Sequence, residues 1–237
     1  MNSVLDITWP PDDYETTRAA DVREAVFYLK KFRPDFVWSS LKTFENTPCT
    51  LPQTQTILQG QSVGGVSLEA LDQVRRMGRA VDVLLGMLGD GSFAITREVA
   101  CRLHAEVARD EALEWGVFRA KQVYVGGVAH VPPPAEELSR RWDDGERALT
   151  ALASPSERAL ALFLFMARTQ FFYDGNKRTA WLMMAGTLVA NGYLAFAIPA
   201  NDAERFNERL AAFYDSGDAG GMMELLVGYS SSKNTNS

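Results

Sequence analysis

Gln170-Phe171-Phe172-Tyr173-Asp174-Gly175-Asn176-Lys177-Arg178 is the stretch around which the rest of the chain is ordered. Before it, Ser154-Pro155-Ser156-Glu157 leads into the apolar run Ala159 to Ala167. The Ser suits an N-cap, the Pro a first helical position and the Glu a position three residues after the cap. After it, Asn176 opens a second run that stays apolar through Ala180-Trp181-Leu182-Met183-Met184, up to a stop at Asn191-Gly192. Two helices that are apolar on every side belong at the buried centre of a mostly α fold. The polar turn between them is therefore where the core opens to water.

That turn also holds the chemistry. A helix N-terminus carries unpaired N–H groups and partial positive charge, so Lys177 and Arg178 in the first turn are electrostatically misplaced by a few tenths to about 1 kcal/mol each. A bound anion reverses the sign. Gly175 allows close backbone approach, and the N–H groups that follow it would point at the anion. Arg178 has a fork of donors suited to phosphate, and Asp174 could hold Mg²⁺ on the same phosphates. The residues also admit a plainer reading: Asp174 as N-cap, Gly175 as turn former, Asn176 as helix start, and two solvated cations. Phe171, Phe172 and Tyr173 read as packing residues.

Working outward, Asp21 to Phe32 reads as a short amphipathic helix stopped near Pro34. Ser67 should cap a longer one carrying Leu68, Leu71, Val74, Val81, Leu84, Leu85 and Leu88, ended by Gly89-Asp90-Gly91. Thr96 should cap another with Val99, Leu103 and Val107. In Val123 to Val131, the β-prone runs Val123-Tyr124-Val125 and Val128-Ala129-His130-Val131 flank Gly126-Gly127, which predicts a small hairpin. Pro132-Pro133-Pro134 ends it and leads to a helix with Leu138 and Trp142. A last helix carries Phe206, Leu210 and Phe213, and the polar tail is expected to be disordered. The expected organisation is an N-terminal helical extension (1–66), a domain (67–228) and a tail (229–237).

Composition narrows the function classes. The 237 residues carry 24 Lys+Arg against 30 Asp+Glu, a net charge of -6, so there is no general basic excess for nucleic acid or anionic membrane. Cys49 and Cys101 are too few for a disulfide framework or thiolate metal site. The first twenty residues lack an apolar export segment, and the longest apolar run is less than half the ~20 residues that span a bilayer. A cytoplasmic location is the expectation.

The segment resembles the signature of the Fic/Doc family (Fido fold), H-P-F-x-[DE]-G-N-G-R-x-x-R, or H-x-F-x-D-[AG]-N-K-R-T-A in its Doc-like branch. Gly116-Val117-Phe118-Arg119, Val123-Tyr124-Val125-Gly126-Gly127 and Val131-Pro132-Pro133-Pro134 resemble the family's approach to the motif. Leu103-His104 and Phe206-Asn207-Glu208 through Asp218 fit its flanking helices. The resemblance covers roughly Ser67 to Gly228. It implies a nucleotide site for Mg-ATP, with Asp174 on Mg²⁺, Gly175 and Asn176 in the anion turn, and Lys177 and Arg178 on phosphates. It also implies AMP transfer to a Ser, Thr or Tyr hydroxyl of a target protein, whose segment docks on the flap Val123–Val131 by strand addition. An antitoxin-like inhibitor is a further partner class.

Three departures qualify this. Gln170 occupies the position of the motif His, and an amide cannot accept a proton at neutral pH. General-base catalysis contributes roughly 10²–10⁴-fold, so either a transferase of altered mechanism or a catalytically inactive binding module is expected. His130 and Asp174 are the other groups able to take a proton. Lys177 replaces the motif Gly, as in Doc-like kinases, which opens phosphoryl transfer as an alternative. Trp181 replaces the second motif Arg, the usual partner of an inhibitory Glu in [ST]-x-x-x-E-[GN]. The nearest counterpart of that helix, Gln55 to Gly60, has Gln59 instead of Glu, so this autoinhibition is expected to be absent; without the resemblance, Thr50 to Gly60 reads as a connecting loop.

Overall fold

The computed structural model describes residues 4–231. Among them are nine α-helices: α1 (Val22–Glu45), α2 (Leu51–Leu58), α3 (Leu68–Gly89), α4 (Arg97–Val107), α5 (Leu138–Thr150), α6 (Pro155–Thr169), α7 (Asn176–Ala190), α8 (Ala203–Ser216) and α9 (Gly220–Ser231). The α6–α7 pair is the centre: α1, α3 and α4 pack on α7, and α5 and α9 on α6. Nearly every side chain of α6 and α7 is buried, as two all-round apolar helices require. The caps follow the sequence. Ser154 accepts from Glu157 N, Ser67 from Ala70 N, and Thr96 from Val99 N. The Glu157 carboxylate does not complete a capping box; it accepts from Trp9 Nε1 at 2.8 Å.

Four expectations change. The first helix does not stop at Pro34 but runs to Glu45 with the proline inside it. An interior proline costs about 3 kcal/mol or more, yet the continuation buries Phe36, Val37, Leu41 and Phe44, each worth about 1.5–3 kcal/mol. Thr50 to Gly60 is not a loop: Thr50 and Gln53 form a reciprocal capping box that starts α2. Leu68, expected in the core, is exposed, because it is the first residue of α3 and faces outward. The tail starts later than expected, since Tyr229, Ser230 and Ser231 complete α9 and the first two are buried; residues 232–237 lie outside the described residues. The Gly220-Gly221 start of α9 hides it from a propensity reading.

The hairpin is the fifth correction. Gly126-Gly127 makes the turn, with Gly127 at φ 81°, but no strand ladder forms among the described residues. Side chains take the backbone groups that a ladder would pair. Asp215 accepts from Ala129 N (2.7 Å) and His130 N (2.9 Å), and Gln122 Nε2 donates to Val123 O and Pro132 O. Arg119, buried without a carboxylate, donates to Lys121 O (2.9 Å), Pro133 O (2.5 Å) and Gln170 O (2.7 Å). Its three carbonyls tie both feet of the flap to the end of α6. A two-stranded ribbon is marginal alone, and here it is replaced by a strap held along its second arm and at its base.

The N-terminal residues share the same core. Leu5, Ile7 and Tyr14 are buried, and Thr8 exchanges backbone hydrogen bonds with Gly217 and Ala219. α5 meets α6 through Gly145, where a Cβ would fall 2.4 Å from Phe165 Cζ. Gly145→Ala is therefore expected to destabilise by about 1–3 kcal/mol, despite the better helix propensity of Ala; urea unfolding measures it, and an unchanged or raised midpoint would contradict this packing.

Candidate functional site

The turn between α6 and α7 is shaped by two left-handed residues. Gln170 caps α6 at φ 54° and Gly175 caps α7 at φ 69°. Glycine is needed at 175, since a Cβ there would lie 3.1 Å from Val107 Cγ1 and 3.3 Å from Ala108 Cβ. Asn176 spends its whole amide on the turn, accepting from Phe172 N (2.9 Å) and donating to Phe172 O (2.8 Å). Phe171 and Phe172 are fully buried, as read from the sequence.

His104, on α4, locks this turn to the loop that precedes the flap. Its ring stacks on Phe172 with centroids 3.8 Å apart. Nδ1 accepts from Gly116 N at 3.0 Å, so Nε2 carries the hydrogen and donates to Asp174 O at 2.9 Å. Burial lowers its pKa from 6.5 to about 4, with the Asp174 hydrogen bond working the other way. The imidazole is thus a neutral structural clamp.

The charges are arranged differently from the sequence reading. Arg178 is 1% exposed, and its two terminal nitrogens grip Glu111 from the turn after α4: Nη1 at 3.0 Å and Nη2 at 2.9 Å. Its Nε lies 2.8 Å from Glu45 Oε1 at the end of α1, although the N–H is not aligned on that oxygen. Asp174 Oδ1 stands 3.7 Å from Nη2. The fork expected to meet phosphate is thus committed to a protein carboxylate. An ion pair of different composition nevertheless stands at the turn. The acidic end comes from Glu45 on α1, not from Gln55 to Gly60, and the basic end is Arg178. Trp181 at the second Arg position is core, packed edge-on against Phe44, Phe163 and Phe196.

The two glutamates differ. Burial raises the pKa of Glu45 even against the charges of Arg178 and Lys177. Burial also acts upward on Glu111, but the hydrogen bonds and charge of Arg178, with Arg76, carry it below its ordinary value. Lys177 is mostly buried, donates to Phe44 O at 3.2 Å, and has its pKa lowered by burial.

A cavity of about 300 Å³ opens over the turn, lined among others by Glu45, Gln170, Asp174, Lys177, Tyr214 and flap residues 124–126. Gln170 lines it, but its Nε2 donates back to Ala167 O at 2.6 Å. Asp174 is the open carboxylate, 57% exposed, with Oδ1 accepting from Gly175 N. The structure therefore brings Gln170, Asp174, Gly175, Asn176 and Lys177 to one cavity and keeps Arg178 behind it. His130 stands apart, with Nε2 on Arg168 O. Sequence reasoning missed Glu45 and Glu111, since each reaches the turn from a distant element; the Phe44-Glu45-Asn46 end of α1 was the one available signal for the first.

Residues 94–188 match the model of the Fic/DOC family. Protein adenylyltransferase Fic of Drosophila yakuba is 31% identical over 170 residues, 68% of this chain and 33% of that protein. Fic-1 from C. elegans superposes with a TM-score of 0.74 at 21% identity, covering 96% of this chain and 67% of that one. A Fic domain solved with adenylylated Cdc42 gives a TM-score of 0.50 at 13% identity, over 89% of this chain and 73% of that one. Residues 94–188 form a domain of the Fic/DOC family. It spans about a third of the length of the curated relatives that it matches. No helix among the described residues is long and apolar enough to cross a membrane.

The clamp makes a pH prediction. The folded state holds His104 neutral down to about 4, whereas the unfolded chain protonates near 6.5, so the unfolded state binds more protons between these values. The stability due to this group is full above pH 6.5 and falls by about 3 kcal/mol as the pH drops to 4. Urea unfolding of wild type and His104→Phe at pH 7 and 4.5 isolates it: wild type should lose more stability than the variant, and equal losses would remove the assignment.

Proposed function

We propose that this chain binds a magnesium–adenine nucleotide in the cavity over Gly175, and that AMP transfer to a protein hydroxyl is held back at the proton-removal step. One observation carries the reading: the first turn of α7, with Gly175 and Lys177 on the cavity, stands beside a residue that cannot act as a base. The α7 N-terminus, Gly175 at positive φ and Lys177 supply the anion-binding features. Gln170 stands where the family base would, and its amide is turned back on Ala167 O. A magnesium ion suits Asp174, because a single exposed carboxylate with phosphate oxygens and water is its usual environment, and among the described residues no group of three or more His, Cys, Asp or Glu could hold a metal by itself. When bound it would offset phosphate charge. Asp174 would hold it, Gly175 to Lys177 would orient the phosphates, and Gln170 would orient an incoming hydroxyl without deprotonating it.

Glu45 sets access. Its carboxylate occupies the one edge of Arg178 that Glu111 leaves over, so an incoming phosphate competes with it. A target-protein segment is the proposed partner on residues 123–131, by analogy with the neighbour solved with Cdc42. Lys177 in the cavity favours one second reading, Doc-like phosphoryl transfer.

ATP labelled at the α- or γ-phosphate and incubated with cell lysate distinguishes these. Wild type should transfer neither label, and Gln170→His should gain α-label transfer. Transfer of the α-label by wild type would remove the block at position 170, and γ-label transfer would establish the kinase reading. In calorimetry, Glu45→Gln should bind Mg-ATP about 10–100-fold more tightly than wild type, the worth of one charged hydrogen bond; an unchanged affinity would contradict the competition.

A further inference from the structure

Glu45 and Glu111 both touch Arg178, but their geometry is not equivalent. Glu111 meets Nη1 and Nη2 in a two-point grip, at 3.0 and 2.9 Å, which fixes the plane and rotation of the guanidinium. Glu111 is itself held. Ala108 O accepts from its backbone N at 3.1 Å, the preceding Asp110 is left-handed at φ 60°, and Arg76 Nε from α3 lies 3.8 Å from its Oε2. Glu45 touches only Nε, off the hydrogen-bond direction, and that N–H is buried without an acceptor. A buried donor without an acceptor is costly, and it faces the one carboxylate of the pair that also lines the cavity. Burial holds Glu45 above its ordinary pKa while Arg178 draws Glu111 below its own, which agrees with one marginal partner and one committed partner.

We propose that Glu111 is the positioning residue for Arg178: its two-point grip turns the guanidinium so that the Nε edge, where Asp174 Oδ1 comes no nearer than 3.7 Å to Nη2, is offered to the ligand, with Glu45 as the exchangeable occupant of that edge. Arg178 thus engages the ligand through that one edge, and orientation matters more than charge. The inference rests on the nucleotide reading above. Charge alone makes a different forecast, because removing either carboxylate makes the site more positive by one unit and should tighten anion binding in both cases.

The test titrates Mg-ATP into Glu45→Gln, Glu45→Gln/Glu111→Gln and Glu45→Gln/Glu111→Asp, with thermal melts showing each folded at the titration temperature. The second change should weaken binding about tenfold or more relative to Glu45→Gln alone. Glu111→Asp keeps the charge and shortens the reach, so it should weaken binding too, and it stands in if Glu111→Gln does not fold. Equal or tighter binding in the double variants would overturn the proposal. An NMR readout needs no nucleotide: the Arg178 Nε–H resonance should stay sharp in Glu45→Gln and broaden or vanish in either Glu111 variant. If that pattern holds while Mg-ATP binds none of the proteins, the nucleotide reading fails and the grip stands as structural only. If the resonance is indifferent to Glu111, the grip itself is refuted, whatever binds.

Discussion

A guanidinium at 1% exposure must be neutralised by its surroundings, and the arrangement around Arg178 follows from that requirement. Uncompensated burial of such an ion costs several kcal/mol, so carboxylates have to arrive from other parts of the chain. Glu111 comes from the turn after α4, Glu45 from the end of α1 and Asp174 from the turn itself. The helices that enclose the site are therefore tied to it by charge as well as by packing. Moving the turn after α4 would take away the two-point partner of a buried ion.

The same requirement changes what the polar turn can do. With its fork spent on Glu111, Arg178 is part of the wall, and the cavity presents Lys177 and the N-terminus of α7 to an incoming anion. On the proposed reading, selectivity lies in the displacement of Glu45, a residue whose burial already works against its charge. Beside this, Arg119 does for the flap what Glu111 does for Arg178. A buried charge with three carbonyl partners joins Lys121, Pro133 and Gln170, so the flap and the substituted catalytic position share one anchor.

The central helices, their caps at Ser154, Ser67 and Thr96, and the polar turn were legible because each is local. A cap, a proline at the first helical position and unbroken apolar runs act over a few residues. The failures were non-local. Pro34 reads as a stop, but core burial of Phe36 through Phe44 carries the helix past it. Gly126-Gly127 reads as a hairpin, but Asp215, about ninety residues away, takes the N–H groups that a ladder would use. The helix α9 has no reading in the sequence, because it opens on Gly220-Gly221, yet Met222, Met223 and Leu226 are buried deeply enough to hold it.

The sequence by itself determined that this is a mostly helical Fic-type chain with a polar, glycine-bearing turn at Asp174 to Arg178 and no histidine at position 170, since these are matters of residue identity and short-range pattern. Only the tertiary structure decided that Arg178 faces Glu111 and Glu45 instead of open cavity, that Gln170 bends back on its own helix, and that His104 is a clamp. Those outcomes depend on which distant groups share a dry interior with the turn. There the cost of an unpaired charge or an unmet hydrogen bond exceeds any local preference, and no spacing along the chain records which partner will meet it.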